Sequence, residues 1–456
     1  MNSDIMISSD LIVTTPSLSV FVPQINLVPN QSMGIAVANL DPTNAAALNF
    51  TAFDAGGALV QGSGLTNPGN AVLNAGSQLA LTIDQIFGPV SGTWPLGWAG
   101  VNSSNANLAG LFLTFDSALS LLDGASLPSS LIDSIVLPEV GNQDYTKILL
   151  ANSNDSTASV AIDLIKVDGT VRSTMQTNIA GFATYSADLK TQMFPGVAVD
   201  PSDYVRVTSS MGLLAYEFFG NTGKDVAVLA GQDLKGGATS LYSPQYTVGG
   251  NLKSELSIMN LDSIPGTVTL VFKGENGAQI GASQVLPIAP YGKIYVSDSA
   301  FFLGSAPSQI LTGYVQVTSS GIRLSGSVVF SDAIQGVFTT ALPLVSTLQQ
   351  ELVLSHVASN DTFFTGLAIV NPNLVDATIH VQVYTASGQP DQSTTLLVPA
   401  GHGVSRVLTE LFPGLAGQSR TSGYVRISSD QGIACFGVFG TNTLSVLSAI
   451  PAQVVR

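Results

Sequence analysis

Ala377-Thr378-Ile379-His380-Val381-Gln382-Val383-Tyr384 alternates apolar with polar side chains at every step, and a period of two marks a strand with one buried and one wet face. The pattern extends outward in both directions. Leu352 to Val357 and Gly366 to Asn371 precede it as short apolar strands, Ala386-Ser387-Gly388 turns the chain into Thr394 to Val398, and Pro399-Ala400-Gly401 turns it into Val404 to Leu408. Leu411-Phe412-Pro413-Gly414 reads as a helical turn or tight loop, and strands at Gly423 to Ser428, Gly432 to Phe439 and Ser445 to Ile450 bring the total to about eight. Short strands bounded by Gly, Pro and Asn turns, with no long helical-period segment, predict a two-layer antiparallel β-sandwich.

The same landmarks occur four times, about 110 residues apart. An apolar run ends in Asn39, Asn152, Asn260 or Asn371. A hairpin turn follows at Gly56-Gly57, Asp168-Gly169, Asn276-Gly277 or Ser387-Gly388, and a second turn carries Gly76, Gly181, Gly292 or Gly401. Next come Ile86-Phe87-Gly88, Met193-Phe194-Pro195-Gly196, Phe301-Phe302-Leu303-Gly304 and Leu411-Phe412-Pro413-Gly414, then an alternating strand containing Trp98, Tyr204, Tyr314 or Tyr424. Self-similarity at fixed period specifies architecture first. The chain therefore reads as all-β, with four tandem sandwiches of general immunoglobulin-like architecture at 19–130, 131–236, 237–346 and 347–456, preceded by an extension at 1–18. A β-propeller with two four-stranded blades per repeat is the alternative, disfavoured because blade repeats run near ~45 residues and no half-period is visible. Short connectors without Gly/Ser tracts predict a defined angle between neighbours, and hence a rod.

Charged residues make up 10% of the chain and the net charge is −15. No basic run exists to meet nucleic acid or anionic lipid, and no apolar stretch reaches the ~20 residues of a membrane helix. A surface so short of charge suits burial against further copies of the chain. The N-terminus lacks the features of a secretory signal, which leaves removal of the signal or another export route. Within 1–18, Ile5, Ile7, Leu11 and Val13 are β-prone; they either pack on their own repeat or add a strand to the open sheet edge of another molecule.

Chemistry is sparse. His356, His380 and His402, the three histidines, all fall in the fourth repeat without metal-ligand spacing, and no nucleophile elbow, P-loop or dinucleotide fingerprint is present. Cys435 sits in an apolar run and reads as a small core residue. Asp41, Asp155 and Asp262 follow the recurring asparagines of their repeats; their oxygens could contribute to a calcium site, but Asx-turns capping the strand ends are the stronger reading, so no cofactor is expected unless calcium. Trp98, Tyr204, Tyr314 and Tyr424 form a series that reads as corner anchors of the sandwich or as sugar-stacking platforms. The anchor reading is preferred.

Thr365-Gly366-Leu367-Ala368-Ile369-Val370-Asn371-Pro372, Leu411-Phe412-Pro413-Gly414 and Gly423-Tyr424-Val425-Arg426-Ile427-Ser428-Ser429-Asp430 resemble repeats of secreted or surface bacterial all-β proteins of unknown function. That resemblance implies an exported, non-enzymatic module and brings no site residues with it. The resulting expectation is an extracellular or cell-surface structural protein of bacteria. It would self-associate as the subunit of a filament, sheath or surface layer, or form an adhesin stalk; a carbohydrate-binding surface protein is the alternative.

Overall fold

The computed structural model describes residues 19–25, 31–90, 93–104, 107–116, 118, 120–140 and 144–455. Ile5, Ile7, Leu11 and Val13 lie outside them. The described chain is all-β, and its sheets are antiparallel and open rather than closed barrels.

The third repeat shows the plan most simply. Its strands are Ser240–Val248, Leu252–Asn260, Gly266–Lys273, Gln284–Ile288, Lys293–Val296, Leu311–Ser319, Leu324–Asp332 and Thr339–Pro343. The first, sixth, third and fourth form one sheet in that order, and the fifth, second, seventh and eighth form the other. Strands of the two sheets thus interleave along the sequence. A propeller blade is built from consecutive strands, so the propeller alternative does not describe this chain.

Alternation drives the local structure. Val268, Leu270 and Phe272 point inward from the third strand, where they meet Val315 and Val317 of the sixth and Leu256, Ile258 and Val328 of the opposite sheet. Tyr246 stands edge-on to Phe272 and Phe302, with ring centroids 5.1 and 5.7 Å away. Each such fully buried side chain contributes about 1.5–3 kcal/mol. Phe302 belongs to the aromatic-glycine turn, and its counterparts Phe87, Phe194 and Phe412 are buried as well.

The other repeats keep the strand order. In the second and fourth, however, the sixth and seventh strands are continuous, as Tyr204–Gly220 and Tyr424–Thr441, so one long strand serves both sheets. Those two repeats also add a short strand, Gln232–Asp233 and Gln453–Val454, beside the first strand. Buried Gln232 and Gln453 donate to Gly326 O of the third repeat at 3.0 Å and to Gly110 O of the first at 2.9 Å.

Between repeats the chain departs from a rod. Tyr216, Phe218 and Val228 of the second repeat join the core of the first, Val136, Ile165 and Tyr204 meet Met259 and Leu261 of the third, and Tyr242 and Tyr314 meet Val370 and Ala434 of the fourth. The fourth then returns to the first: Phe439, Val446 and Ile450 pack on Ala36, Leu111 and Leu122, and Val353 and Tyr424 on Ala38, Leu40 and Ala109. A rod would hold the first and last repeats apart. Here the four close into a ring, because each repeat offers the next one the same apolar face.

Candidate functional site

The ring junctions gather most of the recurring residues. In each repeat the second turn places one residue in the left-handed backbone region: Gly76 at φ 67°, Phe182 at 60°, Tyr291 at 53° and Gly401 at 72°. The recurring glycine of the sequence therefore does not mark this position in the second and third repeats; Phe182 and Tyr291 occupy it, next to Gly181 and Gly292. The carbonyl of that residue accepts a hydrogen bond from the aromatic of the preceding repeat. Trp98 Nε1 donates to Phe182 O at 2.8 Å, Tyr204 OH to Tyr291 O at 2.9 Å, Tyr314 OH to Gly401 O at 2.5 Å, and Tyr424 OH to Gly76 O at 2.7 Å. The fourth bond closes the ring.

A backbone bond accompanies each aromatic one. Thr184 N–H donates to Ala55 O at 3.0 Å, Lys293 N–H to Val167 O at 3.0 Å, Gly403 N–H to Glu275 O at 2.9 Å and Gln78 N–H to Ala386 O at 2.9 Å. The acceptors lie in the hairpin turns, which approach so closely that a side chain would not fit. A Cβ on Gly277 would lie 2.8 Å from Gly401 O, and one on Gly388 would lie 2.6 Å from the Gly76 carbonyl carbon. Gly277 and Gly388 also have positive φ, so glycine is required there twice over.

These contacts correct the sugar-platform reading. Trp98, Tyr204, Tyr314 and Tyr424 are at most 3% exposed, so no ring face is open to a glycan. Trp98 stacks on Phe53 at 5.0 Å, and Tyr424 lies parallel to Tyr384 at 4.8 Å. Burial pushes the hydroxyls of Tyr204, Tyr314 and Tyr424 up to about 12, which keeps them protonated donors. Nor do they anchor a corner within their own repeat; each anchors to the next.

The asparagines and aspartates after the second strand serve the backbone. Asn39, Asn152, Asn260 and Asn371 are fully buried. Asn371 Nδ2 donates to Val375 O at 2.8 Å and Val398 O at 2.9 Å, while its Oδ1 accepts from Asn373 N–H at 3.1 Å. The other three repeat this pattern. Asp41 accepts from Thr43 N–H at 2.8 Å and Asn44 N–H at 2.9 Å, Asp155 from the Ser156 hydroxyl at 2.9 Å, and Asp262 pairs with the Arg323 guanidinium at 2.8 Å. The Thr43 N–H, foremost, holds the Asp41 carboxyl well below the usual range. Among the described residues no three His, Cys, Asp or Glu side chains converge as a metal site, so the proposed calcium ligands are not brought together.

The histidines are likewise dispersed. His356 is half-buried beside Gln78 of the first repeat, 3.4 Å from its Nε2, and desolvation there pushes its imidazole down to about 4. His380 Nδ1 lies 2.8 Å from the Thr395 hydroxyl on an exposed strand face, and His402 Nδ1 lies 2.9 Å from Ala400 O. Burial raises the Cys435 thiol far above its ordinary value, which leaves it an inert core residue.

Two polar groups that sequence reading missed lie where repeats converge. Asp123 of the first repeat is fully buried and accepts from Val228 N–H of the second at 2.8 Å, Thr340 Oγ1 of the third at 2.8 Å and Ser448 Oγ of the fourth at 2.7 Å. All four repeats meet on this one carboxyl, and burial raises it to about 8. Lys293 of the third repeat buries its ammonium against Pro138 O, Pro201 O and Asp203 O of the second, at 2.7, 3.2 and 3.0 Å. No motif announces either residue, since a lone Asp or Lys in a strand resembles a surface charge until its partners are placed.

A cavity of about 280 Å³ lies between the third and fourth repeats and is lined by Phe330, Phe338, Phe364, Leu367 and Val438. A smaller one of about 180 Å³ lies between the fourth and first, beside His356. Lys253, Arg406 and Glu410 also line the larger cavity, at its polar side. No helix among the described residues is long and apolar enough to cross a membrane.

No protein-family model matches the chain, and no curated protein does. Among solved structures, Thermotoga maritima 1070 is 12% identical and covers 23% of this chain and 96% of its own, with a TM-score of 0.21. The major pilin from Streptococcus pyogenes is 10% identical over 68% of this chain and 99% of its own, with a TM-score of 0.12. The pilus backbone protein of Streptococcus pneumoniae is 10% identical over 76% of this chain and 90% of its own, with a TM-score of 0.13. At such values neither fold kinship nor function passes from any of them to this chain.

Proposed function

We propose that the protein is a non-enzymatic structural subunit of the bacterial exterior, built as a ring of four immunoglobulin-like β-sandwiches that assembles with further copies of itself into a filament, sheath or surface layer. The observation that carries this reading is the junction itself: an aromatic donor, a left-handed carbonyl and a close hairpin glycine occur at all four junctions, including the one between the first and last repeats. What recurs is used to hold the scaffold together, and the residues with reactive chemistry do not converge. An adhesin stalk fits less well, because a stalk needs its first and last domains at opposite ends.

Negative-stain microscopy and light scattering of the purified chain, with fractionation of producing cells, test the proposal. The expected result is four-lobed particles that associate as concentration rises, with the protein in the surface or extracellular fraction. Elongated particles, or single rings at all concentrations together with a cytoplasmic location, would overturn it.

A further inference from the structure

One sheet of each repeat ends in its fourth strand, Gly69–Leu73, Val171–Ile179, Gln284–Ile288 or Pro390–Val398, and among the described residues each of these pairs only with the third strand of its own repeat. Each repeat thus ends this sheet in a strand paired on one side, and the four are not alike; the fifth strands, Gln78–Thr82, Thr184–Asp188, Lys293–Val296 and Gly403–Val407, also pair on one side but are only four or five residues long. The edges of the first and third repeats are five residues long; one begins directly after Pro68, and the other contains Pro287, which has no N–H to offer. Short length and proline are devices that keep an edge from pairing. The edges of the second and fourth repeats are nine residues long and have no proline beyond the first position. Their side chains share one pattern of exposure, with Thr174, Gln176 and Asn178 outward on one and Ser393, Thr395 and Leu397 on the other.

Charge does not bar the two long edges from meeting. In a chain of net charge −15, the Val171–Ile179 edge holds one charged residue, Arg172, and the Pro390–Val398 edge holds one, Asp391. Both are paired within their own repeats, to Asp203 and to Arg420. No unpaired carboxylate stands on either strip to repel a second copy, and their single charges are of opposite sign. A nine-residue strand in an antiparallel ladder turns roughly half of its N–H and C=O groups outward, which supplies most of a ladder to an incoming strand. Contacts run from the first repeat to the second, third, fourth and back to the first, so the second and fourth repeats lie across the ring from each other.

We propose that the protein polymerises edge to edge, the Val171–Ile179 strand of one copy pairing with the Pro390–Val398 strand of another. This rests on the reading of the protein as a self-assembling subunit, and it names the surface. Because the two open edges are opposed, the contact does not close on itself and propagates as a line of rings. The first and third repeats, with guarded edges, form the sides of that line.

The test uses the full chain and lysine as an edge blocker. Gln176→Lys and Leu397→Lys replace outward-facing side chains on the open edges, and Val72→Lys and Val285→Lys do the same on the guarded ones, where Val72 is 74% and Val285 61% exposed. Light scattering and negative stain should show linear chains of rings for the unaltered protein and for the two guarded-edge variants. Gln176→Lys and Leu397→Lys should each raise the concentration needed for assembly by roughly tenfold or more, with thermal unfolding unchanged. Assembly that survives both substitutions, or that Val72→Lys weakens equally, would overturn the edge assignment while leaving self-assembly in place. An unaltered protein that stays single at every concentration would overturn both.

Discussion

Removing the Tyr424 hydroxyl isolates one bond of the ring without changing its packing. In Tyr424→Phe the aromatic still stacks on Tyr384, but Gly76 O loses its donor. A neutral hydrogen bond of this kind is worth about 1 kcal/mol net, somewhat more when the abandoned acceptor is screened from water. That loss should raise the opening constant of the junction between the fourth and first repeats about five- to tenfold. Four amides report the four junctions separately: Gln78, Thr184, Lys293 and Gly403 each donate to a carbonyl of the preceding repeat. In native-state hydrogen exchange, Gln78 should exchange about five- to tenfold faster in Tyr424→Phe, while Thr184, Lys293 and Gly403 stay within about twofold of their original rates. Two results would refute the reasoning. One is an unaltered protein in which Gln78 exchanges like an exposed amide, which would mean an open ring; the other is equal acceleration of all four amides, which would mean that junctions do not open singly.

Gly388→Ala places a Cβ against Gly76 of the first repeat at a position with φ 80°, so it should cost about 3 kcal/mol. Gly321→Ala at φ 86° meets nothing within 4 Å and should cost only about 1 kcal/mol; thermal unfolding compares the pair directly. Asn371→Asp turns three donations into contacts between a carboxylate and carbonyls, and a loss of about 3 kcal/mol in urea unfolding is expected. For Asp123, the folded value of about 8 lies above the ordinary 3.8, so the folded state keeps a proton that the unfolded chain releases. The contribution of Asp123 to stability should therefore be greatest below about pH 4 and decline as pH rises towards 8, by several kcal/mol in total. Asp123→Asn should flatten that decline, leaving the part due to Glu217, whose carboxyl burial also raises; denaturant titrations between pH 4.5 and 8 would show an unchanged slope if Asp123 were not responsible.

The strands were legible because their signals are local. Alternation at Ala377–Tyr384 and the Asn-Gly and Ser-Gly turns each lie within a few residues of the structure they determine. The buried asparagines were read correctly as backbone caps for the same reason, since the amide accepts from the residue two positions on. The aromatic series was not legible in this way. The carbonyl that Tyr204 or Tyr314 reaches is 87 residues away, and the one for Tyr424 is 348 residues back. A core tyrosine and a junction tyrosine have the same local pattern, and only the placement of the neighbouring repeat separates them. Phe182 and Tyr291 escape sequence reading for a related reason: the recurring glycines mark the turn, but the left-handed residue is the neighbour, one position after Gly181 and one before Gly292.

Ring closure also governs how the molecule comes apart. In a row of domains, breaking one contact lets an end swing away on its linker and exposes its apolar face. In a ring, an opened junction stays tethered on both sides through the other three, so its two faces meet again at the high effective concentration of a short tether. Two junctions must fail together before halves of the molecule can separate. Single failures are thus brief and self-healing, and the lifetime of the folded ring depends on how seldom two coincide.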